Sequence, residues 1–198
     1  RSHREAEAMQ AGLRRRGVNS LASSQASVFA SEEARQLALV LAALVDPGDP
    51  ARIRTSLATD LFGCNAGQLH ALNSDERAWE IRLADVHRYR QLWQEQGIMP
   101  MLQQLLAQEA VTRRLSARVG GERSLTNFLH LAELLQQSPA GRHGMAALLR
   151  WFLQQIDHPD NTAADQLIRL ENDEQLIRIV TIHRAKGLEF PVVFLPFP

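Results

Sequence analysis

The chain has 198 residues and a mass of 22.2 kDa, enough for one large domain or two small ones. Hydrophobic residues make up 45%, which supports a buried core, and 22 Lys+Arg against 22 Asp+Glu exclude a global basic field, so any nucleic-acid contact must be local. The single cysteine, Cys64, excludes an internal disulfide and predicts an intracellular, cytoplasmic chain. No apolar run approaches the roughly 20 residues needed to span a bilayer. The opening residues Arg1-Ser2-His3 carry neither an initiator methionine nor a signal-peptide pattern, which predicts a segment of a longer protein.

Most of the chain reads as helix. Residues 4–16 are charged with a thin apolar side and end at Gly17, and 18–21 suit a short strand. Ser31 is a candidate N-cap for a helix carrying Ala34, Leu37, Ala38, Leu41 and Leu44 at three- and four-residue spacing. The run 46–50, Asp-Pro-Gly-Asp-Pro, stops it. A second helix is expected from Pro50 to about Gly63, and a weak one over 66–72. Ser74 then caps a long helix to Gln96, with Trp79, Leu83, Val86 and Trp93 inward. Further helices are predicted over 100–108, 109–118, 124–137, 143–157 and 163–170.

The last 25 or so residues change character. Residues 176–180 and 191–195 are β-branched and apolar on both sides of the alternation, the pattern of strands buried on both faces. A chain that leaves a sheet, builds helices and returns describes an insertion. The alternative is an independent all-α domain with a C-terminal hairpin.

Between those strands lies the chemically richest stretch, 181–190. A hydroxyl, an imidazole, a guanidinium and an ammonium (Thr181, His183, Arg184, Lys186) follow a strand end within six residues. All can bond phosphate oxygens, and ligands of parallel α/β sheets sit where strands end in loops. Gly187 permits a sharp turn, and Glu189 is an acceptor suited to a sugar hydroxyl. Lys186 is the only lysine in the chain. Each residue alone also fits a bland role, as a surface histidine, a solvated cation, a turn glycine or an ion-paired glutamate. Their co-occurrence on one loop carries the functional reading.

The pattern Thr-x-His-x-x-Lys-Gly-Leu-Glu-Phe-Pro-x-Val-Phe, running from Thr181 to Phe194, resembles motif V of superfamily 1 DNA helicases of the UvrD/Rep type. Within that family, the run Gly121-Glu122-Arg123-Ser124-Leu125-Thr126-Asn127-Phe128-Leu129-His130 is similar to the helical 2B subdomain of the RecB-type helicase–nuclease subunits. Leu170-Glu171-Asn172-Asp173-Glu174 and the ending Val193-Phe194-Leu195-Pro196-Phe197 resemble the same branch. The resemblance implies a mainly α fold: a helical insertion with short strands at both ends from an incomplete RecA-like α/β domain. It divides the chain into part of domain 2A over 1–26, a 2B-like domain over 27–172, and a further part of 2A with motif V over 173–198.

The resemblance further implies that Arg1, Thr181 and His183 contact the DNA backbone. Gly187 and Glu189 would lie toward the nucleotide. His3 and Arg184 receive no role. The parent would be an ATP- and Mg²⁺-dependent helicase with exodeoxyribonuclease V activity, acting on single strands and duplex ends in recombinational repair with RecC- and RecD-like subunits. A related repair helicase of AddA type is one alternative, and a free-standing helical interaction module is another. The chain contains no Gly-x-x-x-x-Gly-Lys-Ser/Thr loop, and no acidic strand end to hold Mg²⁺. The fragment by itself is therefore expected to bind no cofactor and to catalyse nothing.

The remaining signals read as structural. Cys64 is expected to be a buried small side chain, and no histidine spacing suits zinc. The runs Arg14-Arg15-Arg16 and Arg113-Arg114 suggest a solvated face, with a phosphate track as the alternative. Trp79, Trp93 and Trp151 suit core packing.

Overall fold

The computed structural model describes residues 3–18, 20–22, 27–161, 163–168, 177–180, 185–187 and 189–196. The described residues are mostly helical, and they fall into two compact units. One combines Arg1–Gln25 with Asn172–Pro198, and the other is Ala26–Glu171.

In the first unit, α1 (His3–Arg15) ends at Gly17, whose φ of +71° lets the Val18 amide return to the Leu13 carbonyl at 3.0 Å. Strand β1 (Ser20–Ala22) follows and pairs in parallel with β2 (Ile177–Ile179), in the register Ser20↔Ile177, Leu21↔Arg178 and Ala22↔Ile179. A parallel pair overturns the hairpin alternative. The second predicted strand, 191–195, is not one here. Val192 and Phe194 are 69% and 81% exposed, and the segment has no strand neighbour among the described residues. Its β-branched composition suits a sheet interior, but a strand exists only where a partner supplies its hydrogen bonds.

The helical unit is built around α2 (Glu32–Val45), which packs against α3 (Pro50–Leu57), α5 (Glu76–Gln96), α8 (Gly121–Gln137) and α9 (Met145–Asp157). Ser31 caps α2 as expected, its Oγ accepting from the Ala34 amide at 3.2 Å. Leu37, Leu41 and Leu44 of α2 are fully buried, each contributing about 1.5–3 kcal/mol of transfer free energy. A 3₁₀ turn, Val28–Ala30, sends Phe29 into this core. There its ring meets Trp151 and Phe152 edge-on, both at 5.8 Å between centroids.

Several boundaries moved. Helix α3 stops at Leu57 rather than near Gly63. Leu61 and Phe62 are still buried, but from a turn, so burial there reflects tertiary packing and not helical period. Helix α4 (Ala66–Ala71) is closed by a reciprocal Asn65–Gln68 capping box. The cap of α5 is Asp75, one residue beyond Ser74, accepting from the Ala78 amide at 2.9 Å. Helix α6 (Ile98–Gln108) begins two residues before Pro100, because proline's missing donor is unneeded in a first turn. Ala110, at φ +49°, separates α6 from α7 (Val111–Ser116). The break falls where the sequence separates 100–108 from 109–118, but alanine at positive φ leaves no trace in a propensity pattern, so its left-handed conformation is the new finding. In the segment expected to be helical over 163–170, the described residues 163–168 form no α-helix: a 3₁₀ turn, Ala164–Gln166, precedes Leu167, which bridges antiparallel to Ser27.

Helix α8 starts at Gly121, not Ser124, and the reason is steric. A Cβ at Gly121 would lie 1.7 Å from the Leu115 carbonyl oxygen, so α7 and α8 approach only because this residue has no side chain. At Gly120, φ is +79° but nothing stands within 4 Å of a Cβ. Gly121→Ala is therefore expected to cost about 1–3 kcal/mol or more through forced backbone movement. Gly120→Ala should cost about 1 kcal/mol from left-handed strain alone. Thermal denaturation checks the ranking, and equal Tm losses would contradict it.

Asp49 caps α3, and the Ala51 amide holds its carboxyl below the ordinary aspartate value, with further help from Arg52. A carboxylate stabilised in the native state contributes fully above its unfolded pKa and loses that contribution as pH falls through the lower folded one. The stability gap between the wild type and Asp49→Ala should be constant above about pH 5 and shrink in acid. A gap that widens on acidification contradicts the assignment.

Candidate nucleic-acid interface

Strand β2 ends at Ile179, and the parallel pairing points the C-terminal ends of β1 and β2 the same way. The loop expected to carry the chemistry follows directly. Of its predicted contacts to nucleic acid, Thr181 and His183 lie outside the described residues, as does Arg1. The two predicted nucleotide-side residues are described. Gly187 stands in a turn with Lys186, at φ +85°. Among the described residues a Cβ there would meet nothing within 4 Å, so glycine serves the backbone conformation. Glu189 is exposed, and among the described residues neither it nor Lys186 enters an ion pair. Of the two partners that an ion-paired Glu189 would take, Lys186 forms no such pair and Arg184 lies outside the described residues. An exposed acceptor two residues beyond an unobstructed turn can take a hydroxyl donor from a ligand.

The arginine runs divide in an unexpected way. Arg15 and Arg16 are exposed, and Arg15 Nε donates to the Ala11 carbonyl at 3.4 Å. Arg113 is also exposed, but its neighbour Arg114 turns inward. Arg114 Nη2 donates to the Asp60 and Leu61 carbonyls at 2.7 and 3.1 Å, and Nη1 donates to the Glu109 carbonyl. Its seat exists because Gly63 has no side chain: a Cβ there would stand 2.4 Å from Arg114 Nε. Arg118 pairs with the Asp60 carboxylate, whose backbone amide in turn donates to Gln36 Oε1 at 2.8 Å. These arginines fasten the turn after α3 to α7 and form no phosphate track. The signal in the sequence was weak, since the clamp joins residues about fifty positions apart.

The tryptophans are structural. Trp93 is buried, Trp151 packs on Phe29, and Trp79 is half-buried under the Arg54 guanidinium at 4.6 Å. Tyr89, not singled out in advance, is fully buried with its hydroxyl shared between Gln108 and Glu109 at 3.0 and 3.1 Å. Burial and the neighbouring Glu109 carboxylate lift its phenol well above the ordinary range. Burial likewise pushes the Cys64 thiol up, which disfavours the thiolate a nucleophile needs. Among the described residues, no three His, Cys, Asp or Glu side chains stand together as a metal cluster.

Comparison with known proteins defines the class. The chain belongs to the UvrD-like helicase C-terminal domain family, which matches residues 1–197. It is similar to RecBCD enzyme subunit RecB of Escherichia coli (strain K12), 43% identical over 175 residues, covering 88% of this chain and 15% of that protein. It is 42% identical over 198 residues to RecBCD enzyme subunit RecB of Haemophilus influenzae (strain ATCC 51907 / DSM 11121 / KW20 / Rd), covering 100% of this chain and 16% of that protein. RecBCD enzyme subunit RecB of Mycolicibacterium smegmatis (strain ATCC 700084 / mc(2)155) is 34% identical over 203 residues, covering 99% of this chain and 18% of that protein. The chain thus spans less than a fifth of the length of these relatives.

The clamp makes a prediction of its own. Arg114→Met should destabilise the helical unit by about 2–4 kcal/mol, because three carbonyl acceptors lose a charged donor. Arg113→Met, one residue away and exposed, should stay within about 0.5 kcal/mol of the wild type. Urea denaturation separates the two, and similar midpoints would remove the clamp.

Proposed function

We propose that this chain is a segment of a RecB-type subunit of an ATP-driven DNA helicase that processes double-strand ends in recombinational repair. The observation that carries it is the similarity to three RecB subunits along most or all of the chain. The loop following β2 supports the same reading. Residues 27–172 act as the helical 2B-like insertion, and 1–26 with 173–198 belong to the 2A motor domain. Thr181, His183 and Arg1 grip the single-strand backbone. A hydroxyl, an imidazole and a guanidinium can do so without reading bases, as a translocating motor requires. Gly187 and Glu189 face the nucleotide edge.

ATP and Mg²⁺ are the parent's cofactors, and the exonuclease belongs to the parent too. The partners are DNA and RecC- and RecD-like subunits, and the setting is cytoplasmic. The exposed Glu189 fits one edge of ATP, as an acceptor for a ribose hydroxyl. The described residues offer no cluster of Mg²⁺ ligands. No phosphoryl-transfer step is therefore assigned to this chain's own residues. No described helix is long and apolar enough to cross a membrane.

The test uses the parent subunit in its complex. Glu189→Gln should raise KM for ATP by about tenfold, the loss of one charge-assisted hydrogen bond. His183→Ala and Thr181→Ala should weaken single-strand binding, with KM for ATP at saturating DNA little changed. The isolated 198-residue chain should turn over no ATP above blank. Unchanged kinetics in Glu189→Gln, or ATP turnover by the isolated chain, contradicts the proposal.

A further inference from the structure

We propose that a cleft in the helical unit is the docking site for an acidic peptide segment of a partner protein, one carrying an aliphatic residue between carboxylates. The cleft has a volume of about 870 Å³ and lies among the C-terminal ends of α2, α5 and α8 and the N-terminal ends of α6 and α9. In a chain of zero net charge, its lining contains two arginines, Arg90 and Arg142, and no aspartate or glutamate. It is therefore a local positive site of the kind that a neutral chain needs in order to attract an anion.

The two arginines play different parts. Arg90 is half-buried and held in place, its Nη1 donating to the Leu44 carbonyl at 2.7 Å and also to the Val45 carbonyl. These bonds also satisfy the open carbonyl end of α2. A guanidinium fixed in this way keeps its planar fork oriented before any ligand arrives, which lowers the ordering cost of binding. Arg142 is exposed on the 3₁₀ turn Pro139–His143 and free to close over a carboxylate.

The rest of the lining selects a peptide over a simple anion. Trp93, Leu135 and Leu148 supply a buried apolar floor, which a phosphate or a phosphodiester would leave unused. Gln94, Gln136 and Gln137 stand exposed on the walls, and their primary amides both donate and accept, as a peptide backbone requires. Helices α6 and α9 both begin here behind glycine N-caps without a side-chain bond, adding first-turn amides to the donor set.

The test is an amide-resolved NMR titration of the full 198-residue chain with the peptide acetyl-Leu-Asp-Glu-Leu-Asp-amide. Saturable shifts are expected at the Gly97, Gly144 and Met145 amides, with a Kd on the order of 10–100 μM. Arg142→Glu should weaken binding by at least about tenfold. Ala146→Glu should do the same by placing a carboxylate in the cleft. Ala146 is exposed in the first turn of α9, where an acidic residue favours the helix, so its Tm should not fall. Arg150→Glu, on α9 but outside the lining, is the control and should bind as the wild type does. Absence of saturable shifts at about 2 mM peptide overturns the proposal. So does tighter binding of oligo-dT or pyrophosphate at the same amides, or an equal loss in the Arg150→Glu control.

Discussion

Parallel strand pairing is the constraint on which the architecture depends. Two parallel strands cannot be joined by a tight turn and need a crossover of at least a dozen or so residues. Here β1 and β2 are paired in parallel, and the chain between them builds the helical unit Ala26–Glu171. A connection of that size must close on itself. The helical unit does so near its two ends: Ser27 bridges Leu167, and the Ser27 amide donates to Asn161 Oδ1 at 2.8 Å. His130 of α8 adds a bond from Nε2 to the Asp165 carbonyl at 2.7 Å. Phe29, two residues on from Ser27, enters the core directly.

Within the helical unit, arginines complete what the helices leave open. A helix ends with carbonyls that have no internal partner, and turns leave more. Arg90 takes the two at the end of α2, and Arg114 takes those of Asp60, Leu61 and Glu109. Arg114 has room for its planar guanidinium because Gly63 carries no side chain. This use of arginine as internal fastening explains why a chain with many basic residues need not present a continuous basic face. The positive sites that remain are local, as charge balance required.

Much of the fold could be read in advance where the local signal and the tertiary outcome agree. Ser31, the proline–glycine run at 46–50, Gly97 and the spacing of Leu37, Leu41 and Leu44 all mark α2 and its neighbours correctly. The reading failed where the cause was distant. Nothing local in Gly121 announces the Leu115 carbonyl, and nothing in Gly63 announces Arg114. Segment 191–195 shows the reverse: its pattern records an ability to pair that finds no strand partner among the described residues. Of the candidate site, Gly187 and Glu189 appear exposed and unobstructed, while Arg1, Thr181 and His183 lie outside the described residues. The cleft beside Arg90 and Arg142 had no motif to betray it, because six separate elements converge to make it.

The account stands or falls on how the two ends of the chain meet. Interstrand nuclear Overhauser contacts in the 198-residue chain measure this directly. The account predicts amide–Hα contacts linking Leu21 to both Ile177 and Ile179, the pattern of a parallel pair. An antiparallel pattern joining 177–180 to 191–195, with no contact to Leu21, would instead describe a C-terminal hairpin on a free-standing helical domain.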